Sequence, residues 1–386
     1  MTQDEPVTQG EHLDDATQPV PERTKRAWWK QALSIVLTGA VLVIVFGFVL
    51  PKLTDYQTVL DYIGSITVTQ WGLLALFSIW FLVAYPIVLT QVLPSLRFKE
   101  AFVNHMTGTA ITNAVPSGGA IALPLNYALY MSWGFTPEAI SAALLGAGVW
   151  DWLARIALPV FAVIWVALLG EALGWMWAVT IAGVIAVALM VFGLVKLLGS
   201  DTAAERFASL IERIVLRVLG WIGKDDPGVH KGVMQFRVSM KAIVTDNVLG
   251  LTMATVANHL SMTSLFTVSI YSVGVTTDEI SIPWVVLAFS LGRFLVMLPV
   301  SPGGLGLVDL GWIGLLTLGW HATTGAPVDA GAIAAGTLLF RALSFLPPIP
   351  IGMVSWIFWR SNKSWRKPWQ TMRRGEHGST ETATGH

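Results

Sequence analysis

The chain is 386 residues long, 54% hydrophobic and only 12% charged, with a mean hydropathy of +0.63, too apolar for a soluble domain of this size. It has no cysteine, which excludes disulfide frameworks, thiolate metal sites and cysteine nucleophiles. The formal net charge of zero conceals a steep asymmetry along the chain.

Residues 1–27 are polar, with five acids before Glu22, and read as a disordered cytoplasmic tail. The basic cluster Arg23, Lys25, Arg26 and Lys30 precedes an apolar run too long for a secretory signal. Residues 28–67 are therefore expected to supply a retained first span, 28–50, and an outer loop. A first transmembrane half follows at 68–198. It contains spans of about 20 residues or more at 70–93, 138–169 and 174–198. Between the first two lies the apolar stretch 101–133, interrupted by Asn113-Ala-Val-Pro116-Ser-Gly118-Gly119.

Residues 199–239 form a linker in which Phe207, Leu210 and Ile214 alternate with Arg206, Arg213 and Arg217. That period predicts a cationic amphipathic helix, lying on an anionic leaflet or covering the bundle as a linker. The second half, 240–360, has spans at 246–273 and 330–359. Between them the stretch 281–318 is broken by Pro299-Val-Ser-Pro302-Gly303-Gly304-Leu-Gly306. Residues 361–386 are a basic tail, and tryptophans cluster near many span ends, as an interfacial belt requires.

Proline removes a backbone donor and glycine offers a helix no support, so neither break should continue a helix. In lipid the freed groups are tolerated only inside protein or beside a water-filled cavity. Twenty of the 24 lysines and arginines fall on one side if each broken stretch enters and leaves by the same face. By the positive-inside rule both termini are then cytoplasmic, in a multi-pass protein of the plasma (inner) membrane. The two broken stretches would dip in from opposite faces, giving an inverted-topology repeat with a binding site where the halves meet. The expected fold is thus all-α and polytopic, with six full spans and two Pro/Gly-broken hairpins, eight to ten hydrophobic helices in two inverted halves. The alternative is that each hairpin crosses twice.

Ionisable groups at membrane depth are the candidate site. Arg155, Arg293 and Arg341 would each cost on the order of 2.5–3.5 kcal/mol near the bilayer centre, so each needs a partner. Asp151 lies one helical turn before Arg155, and a structural salt bridge between them competes with a binding role. Asp309 follows the second break and could pair with Arg293 or Arg341. Arginine forks bind phosphate bidentately, so arginines converging on a broken-helix cavity would suit a phosphate-bearing lipid headgroup. Asn104, His105, Asn126, Asn258 and His259 are further polar residues at depth; each His serves either as a hydrogen-bond partner between helices or as a proton relay.

No phosphate-cradling loop, dinucleotide fingerprint, paired-His zinc motif or nucleophile elbow is present. No segment outside the membrane is long enough for a catalytic domain, and none is a basic, aromatic-interleaved nucleic-acid binder. An enzyme is not expected, nor a metal or other cofactor.

The run Asn113-Ala-Val-Pro116-Ser-Gly118-Gly119, then Asp151, then Leu298-Pro299-Val-Ser-Pro302-Gly303-Gly304-Leu-Gly306-Leu-Val-Asp309, then Arg341 resembles the lysylphosphatidylglycerol synthase transmembrane-region family. The resemblance covers about residues 28–360, and the second motif is its specific part. It implies a flippase-like role, moving lipids or lipid-linked precursors between leaflets, sometimes alongside glycosyltransferases. The chain carries Asp309 where the family mostly has Glu, apolar Ala120–Pro124 where it often has a base, and Ala147-Gly148 where it often has Glu-Arg. The family's soluble aminoacyl-transferase domain has no counterpart here, so lipid aminoacylation is not expected.

The expected function is ATP-independent translocation of a phospholipid or a polyprenyl-phosphate-linked glycolipid. Its substrate-binding candidates are Arg293, Arg341, Asp309, Asn113, Pro116, Gly118, Gly119, Pro302, Gly303, Gly304, Gly306, Asp151 and Arg155. In that reading Arg293 and Arg341 hold the phosphate, while Asp309 orients Arg293 or carries a coupling proton. The rival is an accessory membrane subunit that anchors a glycosyltransferase or another cell-envelope enzyme.

Overall fold

A computed structural model describes residues 56–115, 118–220, 229–295, 306–325 and 327–366. The expected first span, the N-terminal tail, residues 367–386 of the C-terminal tail and the residues of each break at 116–117 and 296–305 lie outside them. Apart from a short 3-10 turn at Lys363–Trp365, every regular element among the described residues is an α-helix. They are α1 (Tyr56–Gly64), α2 (Val68–Val92), α3 (Phe98–Ala114), α4 (Gly118–Ser132), α5 (Pro137–Leu168) and α6 (Gly174–Gly199). After them come α7 (Asp201–Gly220), α8 (Val229–Ser272), α9 (Ile282–Leu295), α10 (Leu307–Thr324), α11 (Ala330–Phe345) and α12 (Pro348–Ser361).

Four stretches among the described residues are long and apolar enough to cross a bilayer: α2, α5, α6, and α11 taken with α12. The chain is an all-α protein of multi-pass membrane character. Local chemistry sets the helix ends. Thr67 and Gln70 form a reciprocal capping box at the start of α2. Thr136 caps α5 ahead of Pro137 at its first position. Asp329 caps α11 by accepting from the Ala332 N–H at 2.9 Å. Its other oxygen accepts from Tyr62, outside the spans; this bond foremost, then burial, pushes the phenol up to about 12. The clasp between α1 and α11 is therefore complete below the phenol's ordinary pKa near 10 and is lost only as pH rises beyond it.

Two features differ from the sequence expectation. The expected span 330–359 is present but consists of two helices, because Pro347 and Pro348 have no N–H to donate to the carbonyls four residues earlier. The helix expected at 246–273 begins at Val229 and bends at Asn247, where φ is −149° and ψ 27°. Asn247 donates to the Gln91 side chain at 2.9 Å, tying the bend to α2. The linker helix forms as expected, with Ala204 and Ala208 buried while Phe207, Leu210 and Ile214 remain exposed.

Each broken stretch folds as two antiparallel helices. In the first, Asn104 donates to the Asn126 carbonyl at 2.9 Å near the open end, and Gly118 meets Ile111 at the turn. In the second, Trp284 lies against Gly319 at the open end and Leu295 against Gly311 near the turn. Within the described residues the four arms run for 17, 15, 14 and 18 residues, the second beginning and the third ending at the edge of a described segment.

The second hairpin is knitted into the bundle by Phe266 of α8, Phe289 of α9, Trp312 of α10 and Phe340 of α11. These four rings are almost wholly buried, with centroids 5.0–5.7 Å apart. In a bilayer such close packing, rather than expulsion from water, drives helix association.

The glycines of the first break are not equivalent. A Cβ on Gly118 would sit 2.2 Å from the Ile111 carbonyl oxygen, whereas one on Gly119 would meet open space. Gly118→Ala should therefore lower stability in detergent by about 1–3 kcal/mol, the usual scale of overpacking. Gly119→Ala should change it by less than about 0.5 kcal/mol. Thermal unfolding of both variants checks the contrast, and equal effects would contradict it.

Candidate functional site

Six ionisable side chains from five helices form two buried polar groups. The first begins on α5, where Arg155 Nη2 donates to Asp151 Oδ2 at 2.7 Å, the ion pair that their four-residue spacing predicts. Asp151 Oδ1 lies 3.1 Å from His259 Nε2 on α8, an ion-pair distance rather than an aligned hydrogen bond. On the far side of the ring, His259 Nδ1 is 3.0 Å from Arg293 Nη1 of α9. A guanidinium can only donate, so Nδ1 accepts and Nε2 carries the ring proton toward Asp151. The chain of contacts therefore runs Arg155, Asp151, His259, Arg293, alternating donor and acceptor.

The second group joins α10 to α11. Asp309 Oδ1 accepts from Arg341 Nε at 2.9 Å and lies 2.8 Å from Nη2. Asp309 Oδ2 accepts the Gly306 N–H at 2.8 Å. Gly306 holds φ at +88°, a left-handed conformation that favours glycine, and so starts α10 directly at the end of the second break. One carboxylate thus caps the helix after the break and pairs with an arginine on a neighbouring helix. Arg341 also lies over the Trp312 ring at 5.0 Å, and the Trp312 indole donates to the Phe289 carbonyl. Because Trp312 packs on Gly292, next to Arg293, one indole separates the two groups.

Asn113, at the tip of the first hairpin, donates to the Phe345 carbonyl at 3.0 Å. That carbonyl is free because the Ile349 N–H bonds to Leu346 instead. Phe345 is one turn beyond Arg341. Residues beside both breaks therefore contact the same end of α11, Asn113 through Phe345 and Asp309 through Arg341.

The structure narrows several sequence expectations. Of the two partners offered for Asp309, it pairs with Arg341. Asn113 satisfies a protein carbonyl, and Gly118 serves the turn sterically. Gly119 lies beside open space, while Pro116, Pro302, Gly303 and Gly304 fall outside the described residues. The sequence reading did not join His259 to Arg293; the only available signal was a histidine and an arginine both at membrane depth.

Arg293 differs from the other two arginines. It is buried, its guanidinium lies 5.8 Å from the Phe289 ring centre, and among the described residues no carboxylate lies within 4.0 Å of it. The undescribed segment 296–305 beside it contains no acid at all. The Arg155 Nε is likewise buried with no hydrogen-bond partner among the described residues. Three arginines stand against two aspartates, an excess of one positive charge that an anion would offset.

The Asp309–Arg341 pair should behave as a unit, its side chains being 4% and 12% exposed. Asp309→Asn alone leaves a buried guanidinium and should destabilise by about 3–5 kcal/mol. Adding Arg341→Gln should recover a large part of that loss. A double-mutant cycle by thermal unfolding checks this, and simple additivity would contradict the pairing.

No family model matches the chain, and no curated protein matches it either.

Proposed function

We propose that the protein moves a phosphate-bearing lipid, a phospholipid or a polyprenyl-phosphate-linked glycolipid, between leaflets without ATP. The observation that carries this reading is Arg293. A guanidinium cannot shed its charge at any physiological pH, and holding one in an apolar bundle with no carboxylate within 4.0 Å among the described residues is costly. A phosphate headgroup would supply the missing charge and accept from the unused donor of Arg155 as well. Arg341, already neutralised by Asp309, then positions the hairpin rather than gripping the lipid.

In this reading the two hairpins are re-entrant, entering from opposite faces in two inverted halves with both termini cytoplasmic. Two breaks whose flanking residues lead to one end of α11 support it. The motif resemblance to the lysylphosphatidylglycerol synthase transmembrane-region family points the same way. A second reading is an accessory subunit for a glycosyltransferase or other envelope enzyme. The exposed apolar strip of α7, Phe207, Leu210 and Ile214, favours it as a surface a partner could cover.

The test is leaflet exchange by purified protein in liposomes, with fluorescent phospholipid and polyprenyl-phosphate reporters. Arg293→Gln should slow exchange at least roughly tenfold, a loss of about 1.4 kcal/mol of headgroup interaction, while the protein stays inserted. Undiminished exchange by that variant would remove the headgroup assignment. No exchange by the wild type, together with a co-purifying enzyme, would favour the accessory reading.

A further inference from the structure

A groove on the bundle surface, with a volume of about 490 Å³, lies between the first hairpin and α12. That volume falls within the about 300–1,000 Å³ of small-molecule sites. Its walls are almost wholly apolar: Ala110 and Ala114 of α3, Ile121 and Leu125 of α4, Ile349 and Met353 of α12. Beside the groove Gly352 lets α12 approach α3 closely; a Cβ there would lie 2.2 Å from the Met106 carbonyl oxygen. None of these lining residues belongs to the two ion-paired groups.

One end of the groove is at the hairpin turn, where Val115 and Ile349 lie. Its other end is at Trp356, and Arg360 lies over that indole at 5.2 Å. There the three walls are tied together. Trp359 of α12 donates to Ser132 at the end of α4, and Lys99 at the start of α3 lies over Trp365 at 5.3 Å. The same end carries Arg97, Lys99, Arg360, Lys363 and Arg366, against which Glu100 is engaged by Arg97 at 2.9 Å. Basic side chains among tryptophans at one end of an apolar slot match a lipid's own division into charged head and apolar tail.

We infer that this groove is a binding site for an anionic phospholipid of the adjoining leaflet, with one acyl chain between α3, α4 and α12 and the headgroup on the basic collar around Arg360. Occupancy of the site does not require that the protein move lipid, so its test is independent of transport. Two features set this site apart from ordinary annular contact. The slot is recessed between three helices, whereas α6 presents a flat run of exposed residues such as Ile181, Ile185 and Leu189. The collar also adds a charge preference that a purely apolar recess would lack.

The experiment places the full-length protein in phosphatidylcholine nanodiscs containing trace phosphatidylglycerol with a photoreactive acyl chain, and maps the crosslinks by mass spectrometry. Labelling of residues 110–125 and 349–356 should exceed labelling of α6 roughly tenfold. Ala114→Trp should abolish that excess by filling the slot. Arg360→Gln and Lys363→Gln should each lower it roughly five-fold, and they leave the groove walls intact should the tryptophan variant fail to fold. Even labelling of the groove and α6 would overturn the site. Equal labelling by a phosphatidylcholine probe with the same chain would overturn the headgroup assignment.

Discussion

Asp309 and Arg341 meet where the second broken stretch re-enters helix, and much of the surrounding architecture depends on that contact. A guanidinium among apolar helices must find hydrogen-bond acceptors, and a carboxylate there must find donors. Asp309 meets both needs, binding Arg341 with one oxygen and the Gly306 N–H with the other. The cap fixes where α10 begins, and the ion pair fixes α10 against α11. Asn113 then brings the first hairpin to the same end of α11, at the Phe345 carbonyl that the Ile349 N–H leaves free by bonding to Leu346. Residues beside both breaks thus converge on the end of α11, where Asn113 of α3 answers a free carbonyl and Asp309 of α10 answers a guanidinium.

Beside this lock lies a chain of polar contacts with a different balance. Asp151 and Arg155 neutralise one another within α5, while Arg293 leans on a neutral His259 ring. Trp312 and Phe289 separate the lock from that chain and fill the space between with stacked rings. In the proposed function this arrangement is a site whose charge an anionic headgroup completes. A permanently paired Arg293 would hold the helices together equally well but would offer nothing to an anionic headgroup.

How much of this was legible in the sequence follows from how far apart the interacting residues lie. The helices could be read from uninterrupted apolar length, and the Asp151–Arg155 pair from its four-residue spacing, because both signals are local. The breaks were also visible, since proline and glycine act on their own backbone. Contacts between distant segments were not. Asn113 and Phe345 are 232 positions apart, and His259 and Arg293 are 34 apart, with no periodicity to link either pair. The choice of Arg341 over Arg293 as the partner of Asp309 depends on how α10 and α11 pack. The difference between Gly118 and Gly119 depends on which one faces Ile111, which a Gly-Gly motif does not state.

The central claim is that both interruptions lie at depth in the membrane and are reached from opposite faces. The absence of native cysteine makes this directly measurable with single-cysteine variants Gly119→Cys and Leu307→Cys in oriented vesicles. A bulky, impermeant maleimide should label neither position from either side. A small, permeant-sized thiosulfonate should reach residue 119 from the face bearing Arg97 and residue 307 from the face bearing Asp278. Rapid labelling of either position by the bulky reagent, from the face opposite to that expected, would mean that the hairpin crosses completely and would contradict the account.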